Sequence, residues 1–162
     1  MNQPNASNRS RQVLGLAGWL ALCFAASATA VFVSTGDWYS QLRKPSWTPP
    51  SWLFGPAWTL LYTMMAVAAW LVWRCGGWPA QKRPLGLFLL QWFLNALWTP
   101  LFFGLHQTGL ALADILALWT ALAMTLAAFW GVRSLAGWLL VPYLGWVSFA
   151  TALNGAIWWL NR

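Results

Sequence analysis

The sequence predicts an all-α membrane protein, a bundle of five transmembrane helices. Three observations lead there. Of the 162 residues, 60% are hydrophobic and 7% charged, about a quarter of the charged share of an ordinary soluble domain. Five apolar stretches have the length of about 20 residues that a helix needs to cross a bilayer with its backbone polar groups satisfied internally. They run over residues 13–33, 51–73, 85–103, 110–132 and 135–160. The chain also carries 16 tryptophans, a side chain suited to the membrane–water boundary.

Taken in order, the polar residues 1–12 read as a disordered tail and 13–162 as a single domain. The first span imitates a secretory signal: Arg9 and Arg11, an apolar run, then Ala28-Thr29-Ala30 as a cleavage site. The run continues through Val31-Phe32-Val33, too long for a signal core, so it is read as a retained span. Pro45, Pro49 and Pro50 stiffen the first loop, 34–50, into a lid-like segment. Only Arg133 and Ser134 separate the last two spans, and Pro56, Pro100 and Pro142 are expected to kink their helices. Arg9, Arg11, Arg74, Lys82, Arg83 and Arg133 fall on one side of the bundle, and Arg43, Lys44 and Arg162 on the other. That asymmetry predicts a multi-pass protein with a cytoplasmic N-terminus. It also casts the net charge of +7 as topology signal and lipid-headgroup contact, not as a nucleic-acid surface.

Conventional catalysis has little material. There are one histidine, two carboxylates (Asp37 and Asp114) and two cysteines (Cys23 and Cys75) without metal-ligand spacing. No triad or acid–base pair is in view, and no metal site or required cofactor is expected. Asp114 is attributed to the positive N-terminus of the fourth helix, and His106 to an interfacial loop.

The tryptophans divide by position. Trp70, Trp73, Trp78, Trp130, Trp138, Trp158 and Trp159 lie near span ends, where interfacial anchoring accounts for them. Trp38, Trp47 and Trp52 belong to the first loop; Trp19, Trp58, Trp92, Trp98, Trp119 and Trp146 lie inside spans. Three interior groups share helical faces: Trp58, Tyr62, Met65 and Ala69; Gln91, Asn95, Trp98 and Phe102; Tyr143, Trp146, Ala150 and Asn154. An amide at mid-span such as Asn95 is costly against lipid and should point inward. Such faces describe the lining of a pocket for a flat, largely apolar molecule, and describe a solid core equally well.

Three segments then carry a resemblance: Trp38-Tyr39 through Lys44-Pro45-Ser46-Trp47-Thr48-Pro49-Pro50 to Trp58 and Leu61-Tyr62; Asn95-Ala96-Leu97-Trp98-Thr99-Pro100 to Gly104; and Pro142-Tyr143-Leu144, Trp146 and Phe149-Ala150-Thr151 to Leu153-Asn154. In this order and at these loop lengths the chain closely resembles the TspO/MBR family, the tryptophan-rich sensory and translocator proteins once called peripheral-type benzodiazepine receptors. The resemblance implies a five-helix bundle, usually a homodimer, binding porphyrins and heme. For animal members it adds cholesterol and isoquinoline or benzodiazepine ligands. The lining it implies is Trp38, Trp47, Trp58, Tyr62, Asn95, Trp98, Trp146 and Ala150. At the end of helix five the family's sterol-associated aromatic is missing, since Gly155 follows Leu153-Asn154.

The leading expectation is an integral membrane tetrapyrrole-binding protein, with the ring plane on tryptophans, propionates near Arg43 or Lys44, and the apolar edge by Ala150 and Met65. Family resemblance also implies light- and oxygen-dependent porphyrin degradation, for which Trp38, Trp58 and Trp146 are the candidates. The alternative is a transporter or channel for porphyrins, sterols or other small lipophilic molecules. For self-association, Ala17-Ala21-Ala25, Ala113-Ala117-Ala121 and Ala123-Ala127-Gly131 each offer a small-residue stripe.

Overall fold

The computed structural model describes the backbone of residues 6–31 and 36–162 and the side chains of 9–29 and 37–162. All regular structure among them is helical. The order is α1 (Ala6–Ala25), a short α2 (Ala28–Val31), α3 (Gly36–Gln41) within the first loop, and a 3-10 turn (Ser51–Leu53) leading into α4 (Phe54–Trp73). There follow α5 (Gly77–Ala80), α6 (Lys82–Thr99) with a π-turn at its end (Pro100–Gly104), α7 (Thr108–Val132) and α8 (Ser134–Leu160).

Four helical stretches, not five, are long and apolar enough to span a membrane among the described residues: Ser51–Trp73, Lys82–Gly104, Thr108–Val132 and Ser134–Leu160. They match the second to fifth expected spans. The first differs, because its helix breaks at Ala26-Ser27. There the backbone tightens into i→i−3 bonds, Ala26 N–H to Cys23 carbonyl and Ser27 N–H to Phe24 carbonyl. The Ser27 hydroxyl donates to the Phe24 carbonyl at 2.6 Å and the Thr29 hydroxyl to the Ala26 carbonyl at 2.8 Å. Hydroxyls that compete for helix carbonyls in this way bend or end a helix. Residues 32–35, where the expected first span ends and the loop begins, lie outside the described residues, as do residues 1–5 of the tail. The α1 helix begins at Ala6, within the stretch expected as a tail. It is docked on α4 through the Trp70 indole N–H, which donates to the Gln12 carbonyl at 3.0 Å, and through Arg11 lying 5.7 Å from the Trp73 ring centre.

The helices pack in the circuit α1–α4–α8–α7–α6, which α2 closes by resting on α6. The core inside that circuit is aliphatic and aromatic, with Met65, Phe88, Phe129, Leu140 and Tyr143 fully buried. Close approach depends on small residues: Ala66, Ala68 and Ala69 of α4 are fully buried, and a Cβ on Gly15 would come within 2.5 Å of the Trp73 ring. The turn between α4 and α6 uses positive φ at Gly76 and Gly77, which glycine adopts without a Cβ clash.

The prolines act unequally. Pro56 falls in the first turn of α4, where an N–H has no helical partner to lose, so it does not interrupt that helix. Pro142 sits inside α8. Pro100 opens the π-turn, closed by Leu105 N–H on the Pro100 carbonyl at 2.8 Å. Such wide turns inside helices often accompany functional sites.

Candidate ligand cavity

Inside the first-loop end of the bundle lies a cavity of about 870 Å³, walled by α1, α3, α4, α6, α7, α8 and the loop. Its size and its apolar lining with a few polar groups are those of a small-molecule site. Of the eight residues expected to line it, Trp58, Tyr62, Asn95, Trp98, Trp146 and Ala150 do so.

Two stacked aromatic pairs line it. On α4, Trp58 stacks on Tyr62 with ring centres 5.1 Å apart and planes 28° apart, and meets Trp146 of α8 edge-on at 6.4 Å. On α6, Trp98 stacks on Phe102 at 5.0 Å and 23°. The polar groups fix the rings. The Tyr62 hydroxyl donates to Asn95 Oδ1 at 3.0 Å. The Trp98 indole N–H donates to Asn154 Oδ1 at 3.0 Å, and Asn154 Nδ2 donates to the Thr108 carbonyl at 2.9 Å. A buried amide that uses both ends in this way locks its neighbours into one rotamer.

Trp38 and Trp47 are not in the lining. The α3 helix turns Trp38 away, onto a stack with His106 at 4.1 Å and 16° and edge-on against Phe102 at 5.8 Å. Its neighbour Tyr39 lines the cavity instead and packs on Phe102 and Phe103. Trp47 is 48% exposed and touches Phe149 edge-on at 5.7 Å. Both loop tryptophans therefore buttress wall residues from behind. Of the two cations expected near a ligand, Lys44 lines the cavity and Arg43 does not. Lys44 Nζ donates to the Tyr39 carbonyl at 2.7 Å and lies 4.2 Å from the Tyr39 ring centre, a cation–π seat. Burial pushes the Tyr39 phenol above its ordinary pKa, so the ammonium faces a neutral ring. Arg43 serves the backbone: its N–H donates to Asn161 Oδ1 and its carbonyl accepts from Asn161 Nδ2, each at 2.9 Å, tying the loop to the end of α8.

Other expectations change. Met65 is fully buried beneath the cavity and does not line it. Asp114 is the seventh residue of α7, past the first turn, so the helix N-terminus does not account for it; it is 8% exposed and its Oδ2 has no hydrogen-bond partner. The Gln91 side-chain amide is likewise buried without a partner. Among the described residues no cluster of three His, Cys, Asp or Glu side chains forms, and His106 is exposed outside the cavity. Sequence spacing also passed over Phe24, Ser27, Phe54 and Phe149, which complete the wall. For Ser27 a signal was present, since a serine and a threonine within an alanine run mark a helix break; non-helical backbone at membrane depth is tolerated where it borders a cavity.

The remaining tryptophans separate into anchors and packing. Arg74 covers Trp70 at 4.6 Å, and at the opposite end Arg162 covers Trp159 at 3.1 Å. Within the bundle Trp92 donates to the Leu22 carbonyl at 2.9 Å and Trp19 packs edge-on against Phe88, while on the outer face Trp119 donates to the Ser148 hydroxyl at 2.8 Å.

Comparison with known proteins gives consistent matches. The sequence profile of the TspO/MBR family matches residues 15–160. The tryptophan-rich protein TspO of Archaeoglobus fulgidus is 44% identical over 155 residues, covering 95% of this chain and 99% of its own. The human translocator protein is 46% identical over 123 residues, covering 75% of this chain and 73% of its own. The protein CrtK of Rhodobacter capsulatus is 40% identical over 147 residues, covering 88% and 90%. With four membrane-length apolar helices in its own fold, the chain is an integral membrane protein and belongs to the TspO/MBR family.

Proposed function

We propose that this protein binds a tetrapyrrole, a porphyrin or heme, in the aromatic cavity. The observation that carries the reading is the pairing of two stacked aromatic walls, Trp58–Tyr62 and Trp98–Phe102, with an ammonium, Lys44, at the rim. A macrocycle is flat, polarisable and apolar over its faces, which suits offset or edge contact with indole rings. Its carboxylates need a cation at one edge, and Lys44 is the charged residue among the described residues that line the cavity. The closed amide contacts of Asn95 and Asn154 hold the walls in place before the ligand arrives, which lowers the ordering cost of binding.

On the same reading α1 and α2 belong to a fifth span, the N-terminus is cytoplasmic, and two copies associate through small residues that face outward, such as Ala17, Ala21 and Ala25. A light-driven oxidation of the bound porphyrin would run through Trp58 and Trp146, whose rings face the cavity, and not through Trp38. Illumination in air separates the two activities: steady porphyrin bands indicate holding, and fading bands indicate degradation.

The binding test compares protoporphyrin with its dimethyl ester. Lys44→Met should weaken protoporphyrin binding about fivefold, the size of one charge-assisted contact at a half-buried site, and leave the ester unchanged. Tryptophan quenching in nanodiscs measures both. An equal effect on the two ligands, or none, contradicts the placement of the carboxylates.

A further inference from the structure

On the outside of the α4/α8 seam lies a second hollow, an apolar groove of about 450 Å³. Ala57, Leu60 and Gly145 are in its lining, and it faces the hydrocarbon, since Leu60 is 60% exposed. Pro49, Trp146 and Phe149 line this groove and also the inner cavity. The two spaces are back to back, with an aromatic screen between them.

We propose that this seam is a lateral gate, through which a flat apolar ligand passes between the bilayer and the cavity, with Trp146 as the moving leaf. The choice of probe rests on the tetrapyrrole reading of the cavity. Trp146 is held by apolar packing against the core and by ring contacts to Phe54 at 5.9 Å, Trp58 at 6.4 Å and Phe149 at 5.9 Å. Trp98, also in the cavity lining, is pinned by a hydrogen bond to Asn154. Contacts without direction leave a side chain free to change rotamer; a buried hydrogen bond does not. The backbone beneath Trp146 is also weakened. Pro142, four residues earlier, has no N–H for the Trp138 carbonyl, and Gly145 carries no side chain, with nothing within 4 Å of where a Cβ would stand. A ligand of this class partitions into hydrocarbon, so a route through the helix seam brings it in without crossing water.

Filling the groove tests the gate. Gly145→Leu, or Ala57→Leu from the α4 side, should slow both association and dissociation of protoporphyrin about tenfold and leave the equilibrium constant unchanged, because an obstructed path alters the barrier and not the end states. Gly131→Leu, equally open but on α7 away from the seam, is the control and should leave both rates unaltered. Stopped-flow tryptophan quenching in nanodiscs reads the rates, with pyrene run in parallel as a flat apolar molecule that is not a tetrapyrrole. Unchanged rates overturn the gate and leave the groove as a seat for lipid chains. Slower association with unaltered dissociation also overturns it, since the substitution then acts on the bound state. If pyrene binds and protoporphyrin does not, the tetrapyrrole reading fails and the gate is judged from the pyrene rates. If neither binds, the gate is overturned as well.

Discussion

At the residue scale, the site depends on which polar atoms hold which rings. Asn154 is 1% exposed, accepts from Trp98 and donates to the Thr108 carbonyl, so it joins α6 to the start of α7 through α8. Asn154→Leu keeps approximate volume but leaves the buried Trp98 indole N–H without its partner, costing about 1–3 kcal/mol. Chemical unfolding in detergent should show that loss, and Trp98 emission should shift as its environment changes; a variant as stable as the parent contradicts the assigned role. Residue spacing made Trp58, Tyr62, Asn95, Trp98, Trp146 and Ala150 legible, because helical period places i, i+4 and i+7 on one face wherever the helix is regular. It did not extend to Trp38 and Trp47. Their directions depend on the α3 helix and the proline-bound loop, for which sequence offers no periodic signal, and adjacent Tyr39 takes the inward position.

At the element scale, regular helices were legible and irregular ones were not. The spans expected at 51–73, 110–132 and 135–160 agree with the observed helices to within a few residues, because continuous apolar runs leave the backbone no partner other than itself. The break in the first helix at Ala26-Ser27 and the π-turn at Pro100–Gly104 arise from a hydroxyl competing for a carbonyl and from a missing N–H. Both are local choices that hydropathy averages away. They also shape the cavity: the break exposes Ala26 and Ser27 to it, and the π-turn aims Phe102 and Phe103 inward. Asn161 is the side chain that ties the loop backbone at Arg43 to the end of α8. Asn161→Ala removes both bonds to the Arg43 backbone, each worth about 0.5–1.5 kcal/mol net. Amide exchange at Arg43 should accelerate roughly tenfold, read by hydrogen–deuterium exchange, while amides in α7 stay protected. Unchanged exchange at Arg43 means that the loop is held by its prolines and aromatic contacts instead.

At the scale of the whole molecule, scarcity of charge and excess of tryptophan have one physical explanation. A bundle that offers lipid on its outside has few places for polar groups; Asn95, Asn154 and Lys44 line the cavity, while Gln91 and the Asp114 Oδ2 are buried without partners outside its lining. Tryptophan then performs three tasks, as anchor at the ends, as packing within the bundle, and as wall. The helix circuit α1–α4–α8–α7–α6 was beyond the reach of sequence periodicity, because each apolar helix could pack against any other, and small residues occur on several faces. The central claim is that the cavity between these helices holds the ligand. Ala150 lines it and is half-buried on α8, so Ala150→Phe occupies the space without altering a hydrogen bond. Titration of the purified variant with protoporphyrin, followed by tryptophan quenching alongside circular dichroism, should show helix content and thermal midpoint near those of the parent and binding weakened at least about tenfold. Quenching with undiminished affinity in that variant would place the ligand elsewhere and contradict the account.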